Sequence, residues 1–145
     1  MTVFPSFCDF AVDCKKGGRM KAINIVKMAV PYISQTLEDS EDLIVLARPM
    51  LNVALQEVLP VENGIRKAEG KEELEEAPYL EKEDLSEDVP YAPMLVRRAL
   101  PYWLAYRFLL DDDQDARAQL YYNEYVNALN EARKMSPEEV VDVYA

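Results

Sequence analysis

The sequence predicts a mainly α protein: a small helical bundle of about four helices, with an irregular acidic insertion and extended termini. Three observations predict this class. Apolar residues recur at three- and four-residue steps in several separate segments, which is the spacing of one helix face. The stretch Tyr91 to Arg133 reads as two helices joined by an acidic turn, an αα-hairpin. No convincing long alternating strand interrupts these segments. At 145 residues the chain is one domain, long enough for a single core.

Residues 1–18 form an aromatic N-terminal arm, with Phe4, Phe7 and Phe10 at steps of three and Lys15-Lys16-Gly17-Gly18 closing it as a turn. Two readings stand for it: an arm packed on the body or on a neighbouring copy, or a partly ordered terminus. Residues 19–60 hold helices one and two. Helix one runs from about Arg19 to Ile33, with Met20, Ile23, Ile25, Val26, Ala29 and Ile33 on its apolar side and Pro31 set to kink or end it. Asp39 or Ser40 caps the next helix. Helix two runs from about Glu41 to Leu59 on Leu43, Leu46, Ala47, Met50, Leu51, Ala54, Leu55 and Val58. Pro49 predicts a kink near Val45 to Ala47 or a division into two shorter helices. Pro60 and Glu62-Asn63-Gly64 predict its stop.

Residues 61–90 are the acidic loop region. Within it a short charged helix is expected over Lys71 to Ala77, and a short hairpin between Tyr79-Leu80 and Val89-Tyr91. More than about 20 residues of loop in a small domain tends to be functional. Residues 91–134 are the hairpin. Its first arm starts near Pro93, carries the only Trp, is apolar on most faces and should kink at Pro101. Its second arm is amphipathic, with Ala118, Tyr121, Tyr122, Tyr125, Ala128, Leu129 and Ala132 on one side. Asp111 to Asp115 supply N-cap oxygens and negative charge at its start. Residues 135–145 are a C-terminal tail whose Val140, Val141, Val143 and Tyr144 suit a strand added to a partner's sheet edge. A fresh helix cap at Ser136-Pro137-Glu138-Glu139, or a frayed end, are the other readings.

Formal net charge is −11 and the pI about 4.5, which opposes wrapping nucleic acid or sitting on an anionic membrane. The charge is uneven: residues 1–30 carry +3 and residues 69–88 carry −8. A dipolar chain of this kind can attract copies of itself head to tail, although a like-charge run is also an ordinary solvated loop.

Catalytic equipment is missing. There is no His, so the commonest general base and metal ligand are gone. Cys8 and Cys14 alone cannot build a four-ligand zinc site, and without a signal peptide they are expected to be reduced thiols. No uninterrupted apolar run long enough to span a bilayer is seen. Asp111, Asp113 and Asp115 open like an EF-hand loop, but Ala116 stands where Gly is needed and Tyr122 where Glu is needed. There is no glycine-rich phosphate loop and no nucleophile–base pair. Neither catalytic residues nor a metal or cofactor is expected. Arg97 and Arg98, inside an apolar helix, are candidate interface residues. They could pair with the 69–88 acids of the same or a neighbouring chain, or form an ordinary surface pair within the chain.

The stretch L-P-Y-W-L-A-Y-R-F-L-L-D-D-D-Q-D-A-R-A-Q-L-Y-Y-N-E-Y, Leu100 to Tyr125, resembles one common in small structural proteins of tailed bacteriophages. Leu43 to Pro60, with L-N-V-A-L-Q-E-V-L-P, fits an earlier helix of such proteins; together the segments cover about 45 of 145 residues. The group resembled is the head–tail connector, or adaptor, proteins. The resemblance implies a homo-oligomeric, dodecameric ring in the virion neck, made in the bacterial host cytoplasm. The ring would join the portal protein to a tail or stopper protein and prolong the channel through which DNA slides unbound, with no membrane contact. It also implies portal docking by Met135 to Ala145. Arg97, Arg98, Phe4, Phe7, Phe10, Val140, Val141, Val143 and Tyr144 are the partner-binding candidates. Two other classes fit the same composition: another tail-completion subunit, and a small acidic regulator or DNA mimic that binds a basic protein through residues 69–88.

Overall fold

A computed structural model describes residues 20–33 and 41–134. Among these the protein is mainly α, with four α-helices and a single two-residue strand pair. Strand β1 (Met20–Lys21) leads into helix α1 (Ala22–Ala29) and a 3-10 turn (Val30–Ile33). Helix α2 spans Glu41–Ala68. An acidic strap then leads through strand β2 (Asp88–Val89) to the hairpin, formed by α3 (Leu100–Asp111) and α4 (Asp115–Arg133). One core joins them: Ile25, Leu51, Leu55, Ile65, Leu80, Leu95, Leu104 and Tyr125 are all fully buried. Each such leucine or isoleucine contributes about 1.5–3 kcal/mol by leaving water.

Helix one is shorter than its periodicity suggests. Its α-turns end at Ala29, and Pro31 sits inside the 3-10 turn, where the missing N–H breaks less of the ladder. The first residues of α1 are finished from a distance. The Ala22 and Ile23 amides donate to the carbonyls of Glu87 and Leu85, each at 2.9 Å, which satisfies two of the orphan donors of a helix start.

The largest departure is α2. It is neither divided at Pro49 nor stopped at Pro60, and continues through Gly64 to Ala68. Pro49 and Pro60 lie eleven residues apart, three turns, so they share a face, and that face is exposed. The carbonyls they leave without a donor, of Val45 and Gln56, belong to exposed residues on the solvent side, where water can replace the lost bond. Meanwhile Leu51, Ala54, Leu55, Val58, Val61 and Ile65 hold the opposite face in the core. The real stop is Gly70, at φ 74°. The Lys71 amide bonds the Arg66 carbonyl at 2.7 Å and the Gly70 amide bonds that of Lys67 at 3.2 Å, a Schellman ending. By length and composition Leu43–Ala68 could cross a bilayer, a property it shares with core helices of soluble proteins.

Lys71 to Ala77 is not a helix, and Val89 does not pair with Tyr79-Leu80. Val89 pairs antiparallel with Met20, and Asp88 with Lys21. The strap is held by side chains of α2 instead. Asn52 grips Leu80 at both backbone groups: its Nδ2 donates to the carbonyl at 3.1 Å and the Leu80 amide donates to Oδ1 at 2.7 Å. Asn63 grips Leu74 in the same way, at 3.0 and 2.8 Å.

The chain enters the hairpin through a π turn, Leu95–Ala99, in which the Leu100 amide reaches back to the Leu95 carbonyl. This turn is the irregularity found where a kink at Pro101 is expected. The Pro101 ring would crowd the carbonyl four residues back, that of Arg97, and the widened turn contains that carbonyl. The acidic joint also differs from expectation. Gln114, with no side-chain cap bond, is the N-cap of α4. Asp115 does supply negative charge in the first turn of α4, while the preceding aspartates end α3: Asp113 adopts φ 59°, its amide bonds Leu110 at 3.2 Å, and the Gln114 amide bonds Leu109 at 2.9 Å. This is a second Schellman ending, with Asp in the position glycine usually takes.

Candidate functional site

α2, α3 and α4 meet imperfectly along one side and leave an open groove of about 620 Å³. α2 contributes Pro49, Met50 and Val53; α3 contributes Trp103 and Tyr106; α4 contributes Tyr122. Tyr122 stacks obliquely against Tyr106, with ring centroids 5.0 Å apart, and against Tyr125 at 6.0 Å. Charge enters at two points, Glu57 and Arg107. Glu57 accepts the Tyr125 hydroxyl at 2.7 Å, and burial together with that carboxylate pushes the phenol well above its usual pKa. Arg107 holds Asp111 at 3.9 Å, the outer limit of an ion pair.

The apolar surface continues beyond the groove. Val45 and Leu120 are 70% and 64% exposed, Val53 is 57% exposed, and Leu46 and Tyr122 are also exposed. Leu46 and Val53 fall on the face of α2 that lines the groove and extend its apolar surface, whereas Leu120 lies about 160° around α4 from Tyr122 and stands apart from it. On the other side of α3 and α4, Tyr32, Tyr102 and Tyr121 form a second cluster with centroids 5.2 to 6.2 Å apart. The Arg117 guanidinium seals it by donating to the Tyr32 carbonyl at 2.8 Å.

The strap is anchored at an ion pair between the buried Glu62 and the half-buried Arg66. Glu62 accepts the Ala92 amide at 2.7 Å and pairs with Arg66 at 2.6 Å. Arg66 also donates to the carbonyls of Pro90 at 2.7 Å and Glu72 at 3.2 Å, tying both ends of the strap to one turn of α2. Burial raises the Glu62 pKa, opposed by the Ala92 amide and by Arg66. Nearby, the buried Tyr91 hydroxyl donates to the Leu55 carbonyl at 2.6 Å.

Comparison with family models, with curated proteins and with solved structures finds no match. The chemistry therefore rests on the molecule's own geometry. Arg98 pairs with Glu131 of α4, not with the strap; this is the intra-chain surface pair, and it raises the guanidinium pKa. Arg97 lies half-buried on the π turn. Phe4, Phe7, Phe10, Cys8, Cys14, Val140, Val141, Val143 and Tyr144 lie outside the described residues, as do Asp39 and Ser40. Asp111, Asp113 and Asp115 are spread over a helix end, a left-handed residue and a helix start; among the described residues no group of three acidic, Cys or His side chains converges as a metal site would. Sequence reasoning misses Asn52 and Glu62. The available signal is a polar residue at a core-facing step of an apolar helix. It also misses the groove, for which the available signal is Val53, an apolar residue out of step with the core face of α2.

Proposed function

We propose that this chain is a virion structural subunit: a ring-forming head-to-tail connector of a tailed bacteriophage, which joins the portal to the tail and extends the DNA channel. The observation that carries the reading is the exposed apolar surface of α2 and α4. Val45, Leu46 and Val53 fall on Leu43 to Pro60, and Leu120 and Tyr122 on Leu100 to Tyr125, the two segments that carry the connector resemblance. A subunit that ends in a ring needs apolar surface which the isolated fold leaves open, and heterologous contacts close such rings. The acidity fits the same reading. A channel through which DNA slides works best without cations that hold phosphates, and the exposed strap acids supply none.

The test is co-expression with the portal protein of the same phage, followed by negative-stain imaging and native mass measurement. A ring of this chain seated under the portal is expected, and Val53→Glu should abolish it while helical circular dichroism is kept. Recovery of one basic host protein with no ring would overturn the reading and move attention to the acidic strap.

A further inference from the structure

We infer that the groove between α2 and the hairpin is the docking site for this chain's own residues 135–145. The inference does not rest on the connector reading but shares Val53 and Tyr122 with it, so a docked tail must leave the groove before a neighbouring subunit covers it. Three observations select this occupant.

The first is reach. α4 lines the groove with Tyr122, twelve residues before Lys134, where the described chain ends. Twelve helical residues span about 18 Å. Six extended residues, 135 to 140, span about 20 Å. A chain that turns back along α4 after Lys134 therefore brings Val140 level with Tyr122. The helix itself shows what lies further on. Tyr125 bonds Glu57 while Tyr122 shares the groove with Val53, so falling numbers on α4 follow falling numbers on α2. Residues beyond Val140 would continue past Val53 toward Met50 and Pro49.

The second is chemical match. The groove is apolar and aromatic, and Val140, Val141, Val143 and Tyr144 are the apolar part of the segment. The third is charge. Arg107 stands in the groove with a loosely held carboxylate partner at 3.9 Å, and Asp142, beyond Val140, is the acid placed to meet it; Glu57 at the other end already accepts from the Tyr125 hydroxyl. The N-terminal arm fits less well on charge, since Lys15, Lys16 and Arg19 sit beside the point where it joins the body at Met20 and would meet Arg107 rather than an acid.

The experiment keeps the full chain. Val53→Cys places a thiol in the groove, and iodoacetamide alkylation at that position is followed by peptide mass mapping, which separates it from Cys8 and Cys14. The same chain carrying Val140→Asp and Val143→Asp is measured beside it, with circular dichroism to show equal helix content. Docking slows alkylation by one plus the docking equilibrium constant, and about tenfold or more is expected. A synthetic peptide of residues 135–145 should restore protection to the aspartate variant. Leu120→Cys, outside the groove, should react equally with either tail. Equal alkylation of Val53→Cys with both tails would overturn the inference. So would protection that persists in the aspartate variant and grows with protein concentration, since that assigns the groove to a second copy.

Discussion

Replacing Asn52 by alanine tests whether the strap is held from α2. Asn52 is buried, 6% exposed, and its amide makes both bonds to Leu80, itself 1% exposed. Truncation leaves the buried Leu80 amide without its acceptor, a cost of about 1–3 kcal/mol. The Leu80 carbonyl keeps a weaker donor in Arg48 at 3.4 Å, so only the net value of its lost bond, about 1 kcal/mol, is added. The expected loss is about 2–4 kcal/mol, against a total stability of roughly 5–15 kcal/mol for a domain. Denaturant unfolding followed by helical circular dichroism measures it. A glutamate-specific protease reports the strap directly, because Glu75, Glu76, Glu81 and Glu83 flank Leu80 and should be cut sooner in the variant. Stability within about 0.5 kcal/mol of the parent, with unchanged cleavage, would refute the clamp.

Gly64 lies inside α2, and no atom stands within 4 Å of the place a Cβ would take there, so Gly64→Ala should raise stability by about 0.5–1 kcal/mol, read as a shift in denaturant midpoint. At Asp113, φ 59° favours a residue without a Cβ. Asp113→Gly should be neutral to slightly stabilising, and Asp113→Val should cost about 1–2 kcal/mol in the same assay. Glu62 has a folded pKa raised by burial above its ordinary 4.5, so the folded state holds its proton longer than the unfolded state. Its contribution to stability is therefore fully present at acid pH and falls as pH rises from about 4.5 through the raised value. Unfolding titrations of Glu62→Gln against the parent should show this falling component in the parent alone.

The hairpin and the helical class were legible because their signals are local and repeated. Ala118, Tyr125, Ala128, Leu129 and Ala132 keep step, and all are buried. The end of α2 was not legible from local signals. Pro60 and Gly64 mark a stop in isolation, yet the core grip of Val58, Val61 and Ile65 outweighs the roughly 3 kcal/mol that an interior proline costs. The strap hid for another reason. Its path is set by the main-chain bonds of Leu74 and Leu80 to two asparagines on another element, so its own acidic sequence carries almost no record of it. The groove was only half legible: Tyr122 keeps step with the core residues of α4, whereas Val53 lies about 160° around α2 from Leu55 and is out of step with its core face.

The π turn before Pro101 makes the chain tolerant of a change in length at this one point. Such a turn closes a full rotation with one residue more than the α-turn it replaces. Deleting Arg98 would therefore make the ladder regular and leave the buried Leu95 and Val96 in phase with the buried Trp103 and Leu104. A second deletion has no such slack to draw on. It would turn one side of the joint by about 100° against the other and drive buried side chains into water.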